Sequence, residues 1–143
     1  MPTRHSSAVW KGGLKSGKGQ VTVGKGVFEG SYSFPSRFEE GEGTNPEELI
    51  AAAHAACLSM ALAAGLERAG TPAAQIATRA SATLEKVGDA FRITTMRLEV
   101  HGRVPGITAG AFQEAAAKAK DGCPVSNALK NNVAFELDAK LEA

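Results

Sequence analysis

Between Ile50 and Leu66 the chain reads IAAAHAACLSMALAAGL, a run of ~17 residues with almost no polar face. At helical spacing such a segment must be covered on nearly every side. It falls short of the ~20 residues that span a bilayer, and it carries His54 and Ser59. The expectation is a buried helix of a soluble protein. Its start is marked by TNPEE. Asn45 suits the N-cap, Pro46 the first helical position, and Glu48 the third, where it completes a capping box. Gly70-Thr71-Pro72 stops the helix. A chain of 143 residues makes one ordinary domain, and a modest sheet from one such domain cannot surround this helix alone. A second copy related by two-fold symmetry is the simplest cover.

The remaining elements follow from period and punctuation. Val9 and Trp10 end a short extended segment, and Gly12–Gly19 is turn-rich. Alternation around Val21 and Val23, and in VFEGSYSF, predicts two strands about a Gly24–Gly26 turn. Pro35 to Gly43 reads as loop. QIATRASATLEKV and AFRITTMRLEV alternate on either side of Gly88-Asp89, which predicts a hairpin. GAFQEAAAKAKDG reads as a helix with Gly122 as its stop. Pro124 starts another helical piece, and VAFELDAKL is a last strand. The order is βββ-α-ββ-α-α-β, an α+β class with mainly antiparallel sheet in a single domain, residues 1–143.

Several function classes recede at this point. Sixteen basic residues against fifteen acidic leave a net charge of +1, with no field for nucleic acid and no polybasic stretch for a membrane. MPTRHSSAVWKGG lacks the apolar core of a signal peptide, so a cytoplasmic, reducing compartment is expected. GGLKSGK matches seven positions of a phosphate-binding loop, but Gly19 stands where Ser or Thr must hold Mg²⁺, and a strand follows. No CxxC or HExxH occurs, so no metal site and no bound cofactor is expected. His54, one turn before Cys57, reads as a packed helix histidine, and Met60 and Leu58 as core or pocket wall.

The chemistry rests on the only two cysteines, Cys57 and Cys123. With Glu47 at 0° on a helical wheel, His54, Ile50 and Cys57 fall at about 340°, 300° and 280°, and Glu48 lies about opposite Cys57. Glu47 therefore shares a broad face with the thiol, but about 15 Å up the axis. A long guanidinium could bridge that span, and Arg37 in Ser36-Arg37-Phe38 is the candidate. It would favour a Cys57 thiolate and could stabilise charge on a leaving oxygen, with Glu47 holding it. A plain surface arginine is the alternative reading. Cys123 precedes Pro124 at a helix start, where backbone N–H groups favour a thiolate. It could equally be a small residue filling a cap.

The strings RFEEGEGTNPEELIAAAHAACLSMAL and VPGI…AKDGCPVSNALK closely resemble the osmotically inducible protein C (OsmC) family and its organic hydroperoxide resistance relatives. The resemblance covers essentially the whole chain, and HAAC, VPGI and CPVSNALK stand closer to the OsmC branch. It implies antiparallel sheets wrapped around two central helices in an intertwined homodimer. It also implies a thiol peroxidase with Cys57 as the reactive cysteine, Cys123 as the resolving one, and Arg37 and Glu47 as its catalytic arginine and glutamate. An organic hydroperoxide would be the substrate. A dithiol, such as a lipoylated protein, would be the reductant. A binding module without redox chemistry and a redox-sensing interaction protein are the rival readings.

Overall fold

The computed structural model describes residues 1–142. It comprises two compact units, one covering Met1–Leu49 and one running from Ile50 onward.

The first unit holds strands β1 (Ser6–Lys11), β2 (Lys18–Val23) and β3 (Phe28–Tyr32), paired antiparallel in the order β1-β2-β3. Gly19 on the central strand lies opposite both Trp10 and Tyr32. A Cβ there would collide with both rings, so only glycine lets the two aromatics close over the strand, 5.5 Å apart. The residue that broke the phosphate-loop pattern is thus part of a sheet. After β3 comes a short helix, α1 (Phe34–Phe38), where a loop was expected. Ser33 and Ser36 cap it reciprocally, at 3.2 and 2.8 Å, and a proline sits in its first turn.

Helix α2 (Pro46–Arg68) begins in the first unit and continues in the second. Asn45 caps it, accepting from the Glu48 N–H at 2.8 Å. The return half of the expected box is replaced, because the Glu48 carboxylate takes the Thr44 hydroxyl at 3.1 Å instead. At 23 residues α2 runs from Pro46 to Arg68, as its cap and the Gly70-Thr71-Pro72 stop predict, and by length and composition it could cross a membrane. Its burial is one-sided, where cover on nearly every side was expected. Ala51, His54, Leu58, Leu62 and Leu66 form a buried stripe, whereas Ala52, Ala53, Ala56, Met60 and Ala63 on the opposite stripe are exposed.

In the second unit, β4 (Gln75–Val87) and β5 (Ala90–Arg103) form the expected hairpin about Gly88-Asp89, with a register shift at Thr83/Leu84. Helix α3 (Ala109–Gly122) and the short α4 (Pro124–Leu129) lead to β6 (Ala134–Leu141), which pairs parallel to β5. The sheet order is β4-β5-β6. Met96, Leu98 and Val100 alternate along β5 and are fully buried, as their period of two requires. They join Leu58, Leu62 and Leu66 of α2 and Phe112 and Ala116 of α3 in one core. Gly102 continues the same face, and its missing side chain leaves room for the Phe112 ring.

Gly122 keeps helical geometry and does not act as a left-handed stop. The helix ends at Cys123, whose backbone is extended (φ −66°, ψ 127°) because it precedes Pro124. Cys123 closes α3 through its N–H to the Ala119 carbonyl at 2.8 Å, and it is the N-cap residue of α4.

Candidate active site

In the first unit, α1 presents Arg37 to the first turn of α2. The Arg37 Nε and Nη2 groups donate to Glu47 Oε1 and Oε2, both at 3.0 Å, in a two-pronged ion pair. Glu47 is buried, and Arg37 keeps 37% of its side chain exposed. The Arg37–Glu47 pairing anticipated from the helical wheel is therefore present.

Ser36, which sequence reasoning gave no role, and Asn45, read only as a helix cap, are both buried and hold this fork in place. The Ser36 hydroxyl donates to the Thr44 carbonyl at 2.7 Å, and Asn45 Nδ2 donates to the Ser36 carbonyl at 2.9 Å. One residue on each side of the ion pair is thus locked to the backbone. The Ser33/Ser36 spacing could have flagged α1 as a helix turn, but nothing in the sequence marked the Asn45–Ser36 contact.

The Arg37 guanidinium stacks 5.4 Å from the Phe38 ring centre. It also borders a cleft of about 240 Å³ walled by Trp10, Tyr32, Phe34 and Phe38. That cleft is mostly aromatic and has one cation at its wall.

In the second unit the two cysteines are free thiols, and each shifts the other's acidity. Cys123 is fully buried and Cys57 partly so. Their acidities diverge. Burial pushes the Cys57 thiol up, and the Cys123 side chain pushes the same way, outweighing the Val125 backbone N–H. Burial alone would raise Cys123 too, but Cys57, the Ser126 backbone and hydroxyl, and the Val125 backbone bring it below the usual thiol value. The direction is the one expected for a thiol before Pro124, although the Cys123 side chain makes no cap hydrogen bond to α4. For Cys57 the order is reversed. Within this unit, burial and the neighbouring sulfur both disfavour a Cys57 thiolate.

His54 is fully buried, with its ring edge-on to Phe135 (5.2 Å, 70°). Its Nε2 lies 2.7 Å from Ser126 Oγ, on a residue that also touches Cys123. Burial lowers the His54 pKa, so the ring is neutral at neutral pH. Among the described residues no cluster of three or more His, Cys, Asp or Glu side chains could hold a metal ion.

Comparisons with known proteins converge on one group. The family described as OsmC-like protein matches residues 39–138. The chain is 46% identical over 138 residues, 96% of each chain, to the peroxiredoxin OsmC of Escherichia coli (strain K12). It is 33% identical over 95 residues, 65% of this chain and 64% of the other, to an organic hydroperoxide resistance protein of Xanthomonas axonopodis pv. citri. Among solved structures, an organic hydroperoxide resistance protein OsmC from Legionella pneumophila superposes with a TM-score of 0.75 at 25% identity, covering 98% of this chain and 99% of that one.

Proposed function

Because this chain belongs to the OsmC family, we propose that it is a peroxidase that reduces organic hydroperoxides to alcohols with its two thiols. The observation that carries this reading is the pair of free thiols, Cys57 and Cys123, near enough for each to shift the other's acidity.

Cys57 attacks the outer peroxide oxygen as a thiolate. The O–O bond breaks, the alkoxide leaves and takes up a proton as alcohol, and Cys57 becomes a sulfenic acid. The Cys123 sulfur then attacks the Cys57 sulfur. An S–S bond forms, the S–O bond breaks, and the hydroxyl leaves with a proton as water. An external dithiol, in our reading a lipoyl group on a protein partner, reduces the disulfide by exchange and is itself oxidised to a disulfide.

The chain around Cys57 raises its pKa, so the attacking thiolate needs a cation. We assign that part to Arg37, oriented by Glu47, within a homodimer that completes the site. The same guanidinium would receive the charge that grows on the departing oxygen. The aromatic cleft beside it suits a bulky apolar substituent and offers little to hydrogen peroxide. We place the enzyme in the cytoplasm, where thiols stay reduced between turnovers.

The test is turnover with dihydrolipoamide, comparing cumene hydroperoxide with hydrogen peroxide. The wild type should favour the organic substrate, and Cys57→Ser should abolish turnover. Cys123→Ser should consume one equivalent and then stall as a sulfenic or higher acid. A Cys57→Ser protein that keeps full activity, or a dithiol left intact after stoichiometric peroxide, would leave only a binding role.

A further inference from the structure

His54 and Ser126 come from elements far apart in sequence and meet behind the second sulfur, at a spot that the peroxide chemistry above leaves unused. Both are buried, at 0% and 3% exposure. Their polar atoms are 2.7 Å apart, and Ser126 sits three residues after Cys123 in the first turn of α4.

The proton positions follow from the satisfied groups. A neutral imidazole carries one N–H and one bare nitrogen. The His54 Nδ1 atom is buried without any hydrogen-bond partner. A buried N–H with no acceptor is the costlier arrangement, so the proton belongs on Nε2, facing Ser126 Oγ. The Ser126 oxygen then accepts from His54, and its single hydrogen is free to turn toward the sulfur of Cys123, the N-cap residue three positions earlier, whose acidity Ser126 helps to raise. The edge-on Phe135 ring holds the imidazole in this orientation.

We propose that His54 and Ser126 form a two-link hydrogen-bond chain, Nε2–H to Oγ–H to Sγ, that stabilises the Cys123 thiolate for its attack on oxidised Cys57. The inference rests on the peroxidase reading above and adds to it two residues for the second half-reaction. In this chain Ser126 is the residue that donates to the reacting sulfur. His54 acts through Ser126 and is a positioning residue. Each hydrogen bond is shared with a neighbour, so the hydroxyl is polarised toward sulfur more strongly than it would be alone.

A single-turnover experiment on the reduced full chain tests this. One equivalent of cumene hydroperoxide is added, and quenching with a sulfenic-acid trap followed by mass analysis times two events, the formation of the Cys57 sulfenic acid and its closure to disulfide. In Ser126→Ala and His54→Phe the ratio of the closure rate to the formation rate should fall about tenfold, the size expected for one hydrogen bond to a charged group. His54→Gln, which keeps an N–H donor, should recover most of it. An unchanged ratio, or both rates falling together, overturns the proposal. A second measurement needs no variant. Nitrogen NMR of the wild type should find the His54 proton on Nε2, and a proton on Nδ1 would reverse the chain and end the idea. Absence of any sulfenic acid in the wild type would instead defeat the peroxidase reading itself.

Discussion

Arg37 has a side chain more than one-third exposed, and two parallel hydrogen bonds to Glu47 set its direction. A free arginine would sample many rotamers, and the fork restricts them. Glu47→Gln keeps one acceptor oxygen and removes the charge. We expect kcat/KM for cumene hydroperoxide to fall by about tenfold, in line with the ~1.5–3 kcal/mol of a charged hydrogen bond, while the far-ultraviolet spectrum stays native. A loss of helix signal would point to folding damage instead. His54 gives a second prediction at this scale. Its folded pKa is depressed from the ordinary 6.5 by burial. Below that value the unfolded chain takes up a proton that the folded chain refuses, so stability must decline as pH drops, until the folded ring also protonates. Urea midpoints of the wild type should therefore decrease on the acid side of 6.5, and His54→Gln should show a shallower decrease. Identical pH slopes would refute the buried neutral ring.

At the scale of elements, β5 and α3 depend on one contact. The Phe112 ring lies against the backbone of Gly102, where a Cβ would overlap it. Gly102→Val should therefore cost about 1–3 kcal/mol, read as a lower urea midpoint with an unchanged slope. Phe112→Ala should cost about 3–5 kcal/mol. Much of this level was legible. The β4–β5 hairpin, the long helix from Pro46 and the short helix after Cys123 follow from alternation, capping and proline, which are local signals. The Arg37–Glu47 pair could be anticipated because Glu47 and its helix face lie within ten residues of Cys57. Three features were not open to such reasoning. Helix α1 depends on a serine–serine cap in a stretch rich in turn residues. The parallel seating of β6 on β5 follows a crossover through α3 and α4, and eight residues of strand do not reveal their partner. The His54–Ser126 bond spans 72 positions, and no spacing rule reaches that far. The opposite shifts of the two cysteines were not legible either, since they depend on how Cys57 and Cys123, 66 positions apart, meet in the fold.

For the whole molecule, the unresolved demand comes from α2. Met60 is 75% exposed and continues a stripe with Ala52, Ala53, Ala56 and Ala63. Small side chains allow another helix to approach closely, and a second copy of this chain would bury that stripe symmetrically. Sedimentation should show a dimer for the wild type, and Ala56→Glu, placing a charge in the middle of the stripe, should shift the population to monomer and reduce peroxide turnover with it. A fully active monomer would refute the shared-site reading. Cys123 has a different consequence. It ends one helix and opens the next, and its sulfur faces a residue 66 positions earlier on a third. Linking those sulfurs would make a covalent ring through most of the second unit and withdraw about 4 kcal/mol of freedom from the unfolded chain. Each turnover would then alternate between a tied and an untied protein. The spent enzyme should melt at the higher temperature, and the returning reductant would loosen it again.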